Sequence, residues 1–478
     1  MTKQNISILL KKINKNRLSN IWKDFKDALA GTTHDYTKIP LGRAVFLLAI
    51  PMVLEMIMES VFAVVDIYFV NKLGADAVAT VGITESVLTI IYAIAFGLSM
   101  ATTALVSRRI GEKNEKEASK EGLQAIIAGI VISLLIAVPG IIFAKDLLRL
   151  MGASSTIVNE LSAYTSIMFG GNLVIMLLFI NNAIFRGAGD AAIAMRVLWI
   201  ANGLNIILDP LLIFGIGPFP ELGIAGAAVA TNIGRGVAVL YQLYILWRGN
   251  SRINMAGLKF RAEWHRIKHL LKISLGGIAQ SLIATSSWIF LVRIISNFGS
   301  EVLAGYTIGI RIILFSLLPS WGLSNAAATL VGQNLGAQQA QRAEKAVWGV
   351  ARINLIFLGG LSILFIFFPQ WFVYLFTKDE AVVNAAVSCL RILAYGFGFY
   401  GIGMVMTQAF NGAGDTRTPT RINIVAFWMV EIPLAYVMAI QLGLREQGAF
   451  YAIIIAEACM TLLAAYLFKK GRWKKEAV

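Results

Sequence analysis

Phe185-Arg-Gly-Ala-Gly-Asp190 and, 225 residues later, Phe410-Asn-Gly-Ala-Gly-Asp415 decide how this chain is organised. Each hexapeptide closes a long apolar run. The same offset carries Gly74 onto Gly299, Ala79 onto Ala304, Ile83 onto Ile308 and Gly111 onto Gly336. One match would be weak, but several at one offset, each at the same place in a longer unit, mark a duplicated unit. A Gly-rich loop can cradle phosphate. These two lack the flanking strand and the lysine of a nucleotide loop, so they read as tight turns between helices.

Working outward from the turns, a window of about 20 residues finds apolar runs at roughly 46–70, 77–106, 122–144, 157–184, 191–214, 224–246, 272–296, 302–330, 346–368, 383–409, 422–441 and 448–468. The composition agrees: 57% of the 478 residues are hydrophobic and 14% are charged, and mean hydropathy is +0.71. Soluble domains carry about 25% charged residues. The expected fold is an all-α integral membrane protein of twelve spans. Six spans separate equivalent positions, so the copies run parallel and form two bundles about an axis along the membrane normal. The segments are then an N-terminal tail (1–45), a first lobe (46–246), a basic linker (247–271), a second lobe (272–468) and a C-terminal tail (469–478).

Lys and Arg number 32 in the tails and even connections against 5 in the odd ones. That bias places both termini in the cytoplasm. It also accounts for the net charge of +15 without nucleic acid, since no polar domain carries the charge. The polar, basic first 40 or so residues lack the apolar core and cleavage site of a signal peptide. Trp22 to Leu29 fits a short amphipathic helix on the membrane surface. Cys389 and Cys459 sit in apolar runs and form no CxxC motif. His265 and His269, among Arg266, Lys268 and Lys272, read as a solvated loop face and not as a metal site. No metal or cofactor is expected beyond a coupling ion.

Ionisable residues within spans are costly and point to function. In the first run, Glu59 and Asp66 lie roughly 40° and 20° around the helix from Glu55 at about 100° per residue. The three acids form one stripe that must face the protein interior. The fifth run carries Asn202, Asn205 and Asp209 followed by Pro210. Asn205 and Asp209 share a face, and Pro210 frees the carbonyl of Ile206. Thr231 and Asn232 of the sixth run could add oxygens. Such a set suits Na⁺ or a proton held on buried carboxyls. In the second half, Arg293, Arg311 and Arg391 are expected to pair with Glu431 and Glu457 or to line the cavity, leaving proton or cation chemistry to the first half.

Taken together, the Pro51-to-Gly74 segment with Val-Val-Asp66, the Asn205-x-x-x-Asp209-Pro stretch, the paired Gly-Ala-Gly-Asp turns and the six-plus-six repeat resemble the multidrug and toxic compound extrusion (MATE) family over residues 40–470. The resemblance implies a V-shaped transporter, not an enzyme, that exports drugs or metabolites in exchange for H⁺ or Na⁺. Its DinF-like branch uses a first-helix aspartate, the Asn/Asp pair of the fifth helix and a threonine of the sixth. Asp66, Asn205, Asp209 and Thr231 match those roles, and Asn182 is a further candidate. The NorM branch places acids in the seventh and tenth helices, where this chain has Gln280 and no acid. Glu55 and Glu59 have no counterpart role and stand as cavity acids. The implied setting is a bacterial inner membrane, with small organic, cationic or amphipathic substrates, lipid neighbours and a monomeric state. A flippase for a lipid-linked precursor is the alternative. An embedded enzyme lacks HExxH or a Ser–His set, and a receptor lacks an external domain.

Overall fold

Lipid offers no hydrogen-bond partners, so each apolar run folds as a helix that satisfies its own N–H and C=O groups. The computed structural model describes residues 22–31, 34–249 and 251–476. Its spans are α1 (Leu41–Asn71), α2 (Ala75–Gly111), α3 (Glu115–Ile142), α4 (Ile157–Ala188), α5 (Ala191–Phe214) and α6 (Ile224–Arg248), then α7 (Trp264–Phe298), α8 (Ser300–Gly336), α9 (Ala340–Phe367), α10 (Glu380–Gly412), α11 (Arg417–Gln441) and α12 (Arg445–Lys470). Several are longer than the apolar runs because polar turns continue the helix past the hydrocarbon. Thus α7 begins at Trp264, which places His265 and His269 in its first two turns and not in a loop. The tail up to residue 21 lies outside the described residues, and 22–30 are helical.

The tenth run is not one straight helix. Glu380–Ala394 and Phe397–Gly412 meet at 58°. The N–H groups of Tyr395 and Gly396 donate to the carbonyls of Ile392 and Leu393, three residues back, at 3.1 and 2.9 Å. That tightening ends the first helix, and a new one starts at Phe397.

The repeat is visible as paired geometry. Gly111 and Gly336, one offset apart, lie where α2 meets α8. A Cβ on Gly111 would fall 2.0 Å from the Gln333 carbonyl oxygen, and one on Gly336 would fall 2.1 Å from the Arg108 carbonyl oxygen. Arg108 and Gln333 are themselves 225 apart, so the two contacts are images of each other. Gly97 of α2 packs on α7 at Gly277, and its image Gly322 of α8 packs on α1 at Met52. Gly189 and Gly414 end their turns with left-handed φ of 91° and 89°. Two of the three described non-glycine residues with positive φ, Lys113 and Gln338, are images as well.

These approaches run from mid-helix to the end of the molecule that carries both termini, and the two arms of the V part toward the other end. Further segments brace the closed end. The Tyr36 hydroxyl donates to the Gly189 carbonyl at 3.1 Å. Arg342 of the second half donates to the carbonyls of Tyr36 and Ile39. Lys113 of the first half reaches Asp35 at 2.5 Å. Burial alone would raise the Asp35 carboxyl, but Lys113 and the Thr37 hydroxyl and N–H bring it from 3.8 down to about 2. Trp473 is fully buried after α12, stacked on Phe468. Arg266 ties the start of α7 to α3 through Glu117 and Glu121, both at 2.5 Å.

Candidate functional site

A cavity of about 200 Å³ lies between the arms, lined among others by Glu55, Glu59, Arg186, Arg235, Phe96 and Trp321. The acid stripe of α1 supplies one wall. Glu55 is 1% exposed and its Oε1 pairs with Arg186 Nη1 at 3.0 Å. The same oxygen accepts from Asn182 Nδ2 at 3.3 Å, and Arg186 Nη2 donates to Ser99 Oγ at 3.3 Å. A buried pair survives only when such extra hydrogen bonds offset the loss of water. Glu55 Oε2 is buried and has no hydrogen-bond partner. One turn up the stripe, the Glu59 carboxylate meets Arg235 at 3.7 Å and accepts from Asn202 Nδ2 at 3.1 Å. Arg235 also lies over the Phe62 ring at 5.4 Å.

Behind this wall lies a separate polar cluster. Asn205 and Asp209 are one turn apart on α5, and both are buried. Asn205 Nδ2 donates to Asp209 Oδ1 at 3.3 Å and to Thr231 Oγ1 of α6 at 3.1 Å. Both donor hydrogens of that amide are then committed. Asn205 Oδ1 and Asp209 Oδ2 remain buried with no donor. Asp66, half-buried on α1, stands in the charge field of Asp209, Glu85 and Arg235. An orphaned carboxylate oxygen beside an orphaned amide oxygen is a place for a proton or a hard cation, because an unmade buried hydrogen bond is costly.

The structure thus joins Asn205, Asp209 and Thr231 by hydrogen bonds, with Asp66 near enough to share their charge field but not bonded to them, and α5 continues through Pro210 to Phe214. It does not bring Asn182 to them. Asn182 sits one turn before Arg186 on α4, bonds Glu55, and accepts from Gln242 Nε2 at 2.6 Å. Asn232 also faces elsewhere: its amide donates to the carbonyls of Ile167 and Ala228. Sequence reasoning missed three charges. Arg186 was counted with the loop turn, yet it lies inside α4 with its side chain 11% exposed. Arg235 and Glu85 sit in the sixth and second apolar runs, and a lone charge in such a run was signal enough.

The second half departs from expectation as well. Neither Glu431 nor Glu457 pairs with an arginine among the described residues. Arg391 Nε donates to the Ile366 carbonyl at 3.2 Å, while Arg311 stands in the field of Glu85 across the V. Arg293 lies exposed in the last turns of α7. An exposed arginine keeps its hydration and gains little from a buried acid, so the expected pairing fails. In place of acids, α7 and α10 hold an amide pair: Gln280 Nε2 donates to Asn411 Oδ1 at 3.1 Å, and Asn411 Nδ2 donates to Gln280 Oε1 at 3.2 Å.

Comparison with known proteins places these features. The MatE family model matches residues 51–211 and again 278–437, so one model recognises both copies of the repeat. A probable multidrug resistance protein NorM of Thermotoga maritima is 27% identical over 439 residues, covering 90% of this chain and 93% of that protein. An FAD transporter of Shewanella oneidensis is 28% identical over 440 residues, covering 91% and 96%. A MATE protein crystallised with MaL6 superposes with a TM-score of 0.87 at 25% identity, covering 93% of this chain and 99% of that one. A MOP superfamily transporter from Pyrococcus furiosus shares the fold, with a TM-score of 0.86 over 92% and 98% of the two chains at 24% identity. By its doubled helical repeat, its central cavity and these matches, the chain belongs to the MATE family of multi-pass membrane transporters.

Proposed function

We propose that this protein is a cation-coupled antiporter of the DinF-like branch that exports drugs or small organic metabolites, with H⁺ or Na⁺ entering at Asp66, Asn205 and Asp209. The observation that carries the reading is the pair of buried, donor-less oxygens on Asn205 and Asp209, with Thr231 already engaged. The positive-inside bias makes the braced end cytoplasmic, so the arms of the V part toward the outside. A cation arriving from that side neutralises the Asp66–Asp209 pair. It drives the cycle only by binding the two states with different affinity. The cavity wall of paired charges and aromatic rings suits amphipathic substrates. A lipid-linked anionic precursor would call for free positive charge, whereas Arg186 and Arg235 are both matched by glutamates.

Dye efflux from cells lacking their own pumps tests this, comparing wild type with Asp66→Asn and Asp209→Asn at equal expression. The expected result is export by the wild type and a loss of at least about tenfold in each variant, in the range seen when a proton-transferring group is removed. Export unchanged in both variants sinks the coupling assignment. No wild-type export across a panel of dyes sinks the multidrug reading.

A further inference from the structure

A second buried acid pair lies in the half without the Asn205–Asp209 cluster. Glu431 of α11 and Glu457 of α12 are each 5% exposed. Glu431 Oε2 accepts from Ser287 Oγ of α7 at 3.2 Å, and Glu457 Oε2 is buried with no donor. The titratable groups facing the two carboxyls are each other, Tyr306 of α8 and Tyr400 of α10, with Cys389 of α10 beside the two tyrosines. All of these are acids, and no lysine, arginine or histidine joins them among the described residues. Tyr306 of α8 is buried at the same place, 1% exposed.

Two ionised carboxylates cannot persist together in these surroundings without a counter-charge. The backbone is irregular on both sides of the group. The helix α11 widens to π-helical turns over Ile424–Glu431, ending two residues before Pro433, and the bend of α10 falls between Cys389 and Tyr400. Such bulges are frequent at functional sites.

We infer that Glu431 and Glu457 form a proton-carrying pair in the second half, separate from the Asp66–Asn205–Asp209 cluster, with Ser287 and Tyr400 as its hydrogen-bonding shell and Tyr306 beside it. The carboxyls take up and release H⁺ as the protein changes conformation, and the hinge in α10 gives the pair a moving wall.

Infrared difference spectroscopy of the full-length protein in proteoliposomes reads protonated carboxyls directly, so it is independent of what the protein transports. A carboxylic C=O band is expected to appear and vanish as pH is stepped between about 5 and about 9, a range in which a proton-carrying carboxyl pair changes its protonation. It should remain in Asp66→Asn and Asp209→Asn and be lost in the Glu431→Gln/Glu457→Gln double variant. The single variants, each losing part of the band, carry the same comparison if the double variant does not express. A band identical in the Gln variants and the wild type overturns the inference. So does one that the Gln variants remove but that pH never changes, because the pair would then be permanently neutral.

Discussion

Glu55 with Arg186, and Gln280 with Asn411, occupy the same place in two copies of one fold, 225 residues apart. In the first half the place holds a charged pair at 3.0 Å; in the second it holds two amides bonded to each other at 3.1 and 3.2 Å. The backbone setting accepts either solution, so charge at this point is a choice of the first lobe and no requirement of the fold. Around the charged version gather the other first-lobe groups: Glu59 with Arg235, and the Asn205–Asp209 cluster behind them. Around the neutral version the cavity wall carries amides, and the second lobe's acids lie deeper, away from it.

The largest test of that contrast breaks one partner. Arg186→Ala leaves Glu55 buried without its cation and is expected to destabilise the protein by about 3–5 kcal/mol, measured by thermal unfolding in detergent. Converting the first lobe to the second lobe's solution, Glu55→Gln with Arg186→Asn, should recover most of that loss, since a neutral pair replaces a charged one in the same frame. Gln280→Ala, which leaves the buried Asn411 amide and Thr416 carbonyl without their neutral partner, should cost less than the charged break, about 1–3 kcal/mol. A double variant no better than Arg186→Ala would show that the two places are not interchangeable.

A smaller effect is expected where the halves touch. Gly111→Ala and Gly336→Ala each force a methyl onto a carbonyl oxygen of the other half, at about 1–3 kcal/mol for overpacking. Because the contacts are images, both should loosen the braced end by similar amounts. Spin labels at Lys116 and Lys345, both exposed, would report it as a longer distance in each variant. A shift in one variant alone would mean that the repeat's symmetry stops at the backbone.

The smallest concerns the brace itself. Asp35 is held near 2, below its ordinary 3.8, so its pair with Lys113 contributes fully above 3.8 and fades as pH falls through about 2. Wild type and Lys113→Ala should differ by less than about 1 kcal/mol at about pH 5, as a partly exposed pair allows, and converge by about pH 2. A gap that widens in acid would contradict this.

Much of this architecture is legible in the sequence because the repeat is written in glycines whose positions backbone contact dictates. The Asn205–Asp209 cluster is legible for a local reason: the two residues are four apart on one helix. Asn182 was not, because only helix packing decides whether it meets Asp66 or Glu55. Arg186 was hidden by its place at the edge of a turn, where a basic residue usually reads as loop charge. The bend of α10 has no proline to announce it; two hydrogen bonds at Tyr395 and Gly396 make it. For Glu431 and Glu457, nothing in the sequence shows that the Ile366 carbonyl holds Arg391 and that Arg293 and Arg311 lie exposed.

The Gly111–Gly336 contact has a mechanical consequence. Main chain rests on main chain there, and the side chains that cross beside it are few and polar: Gln333 Nε2 donates to the Gly187 carbonyl at 3.0 Å and Thr329 Oγ1 to the Arg186 carbonyl at 3.2 Å. Such a joint behaves as a latched bearing: the arms can tilt about it once these hydrogen bonds and the surrounding polar braces let go, and they can be released one at a time.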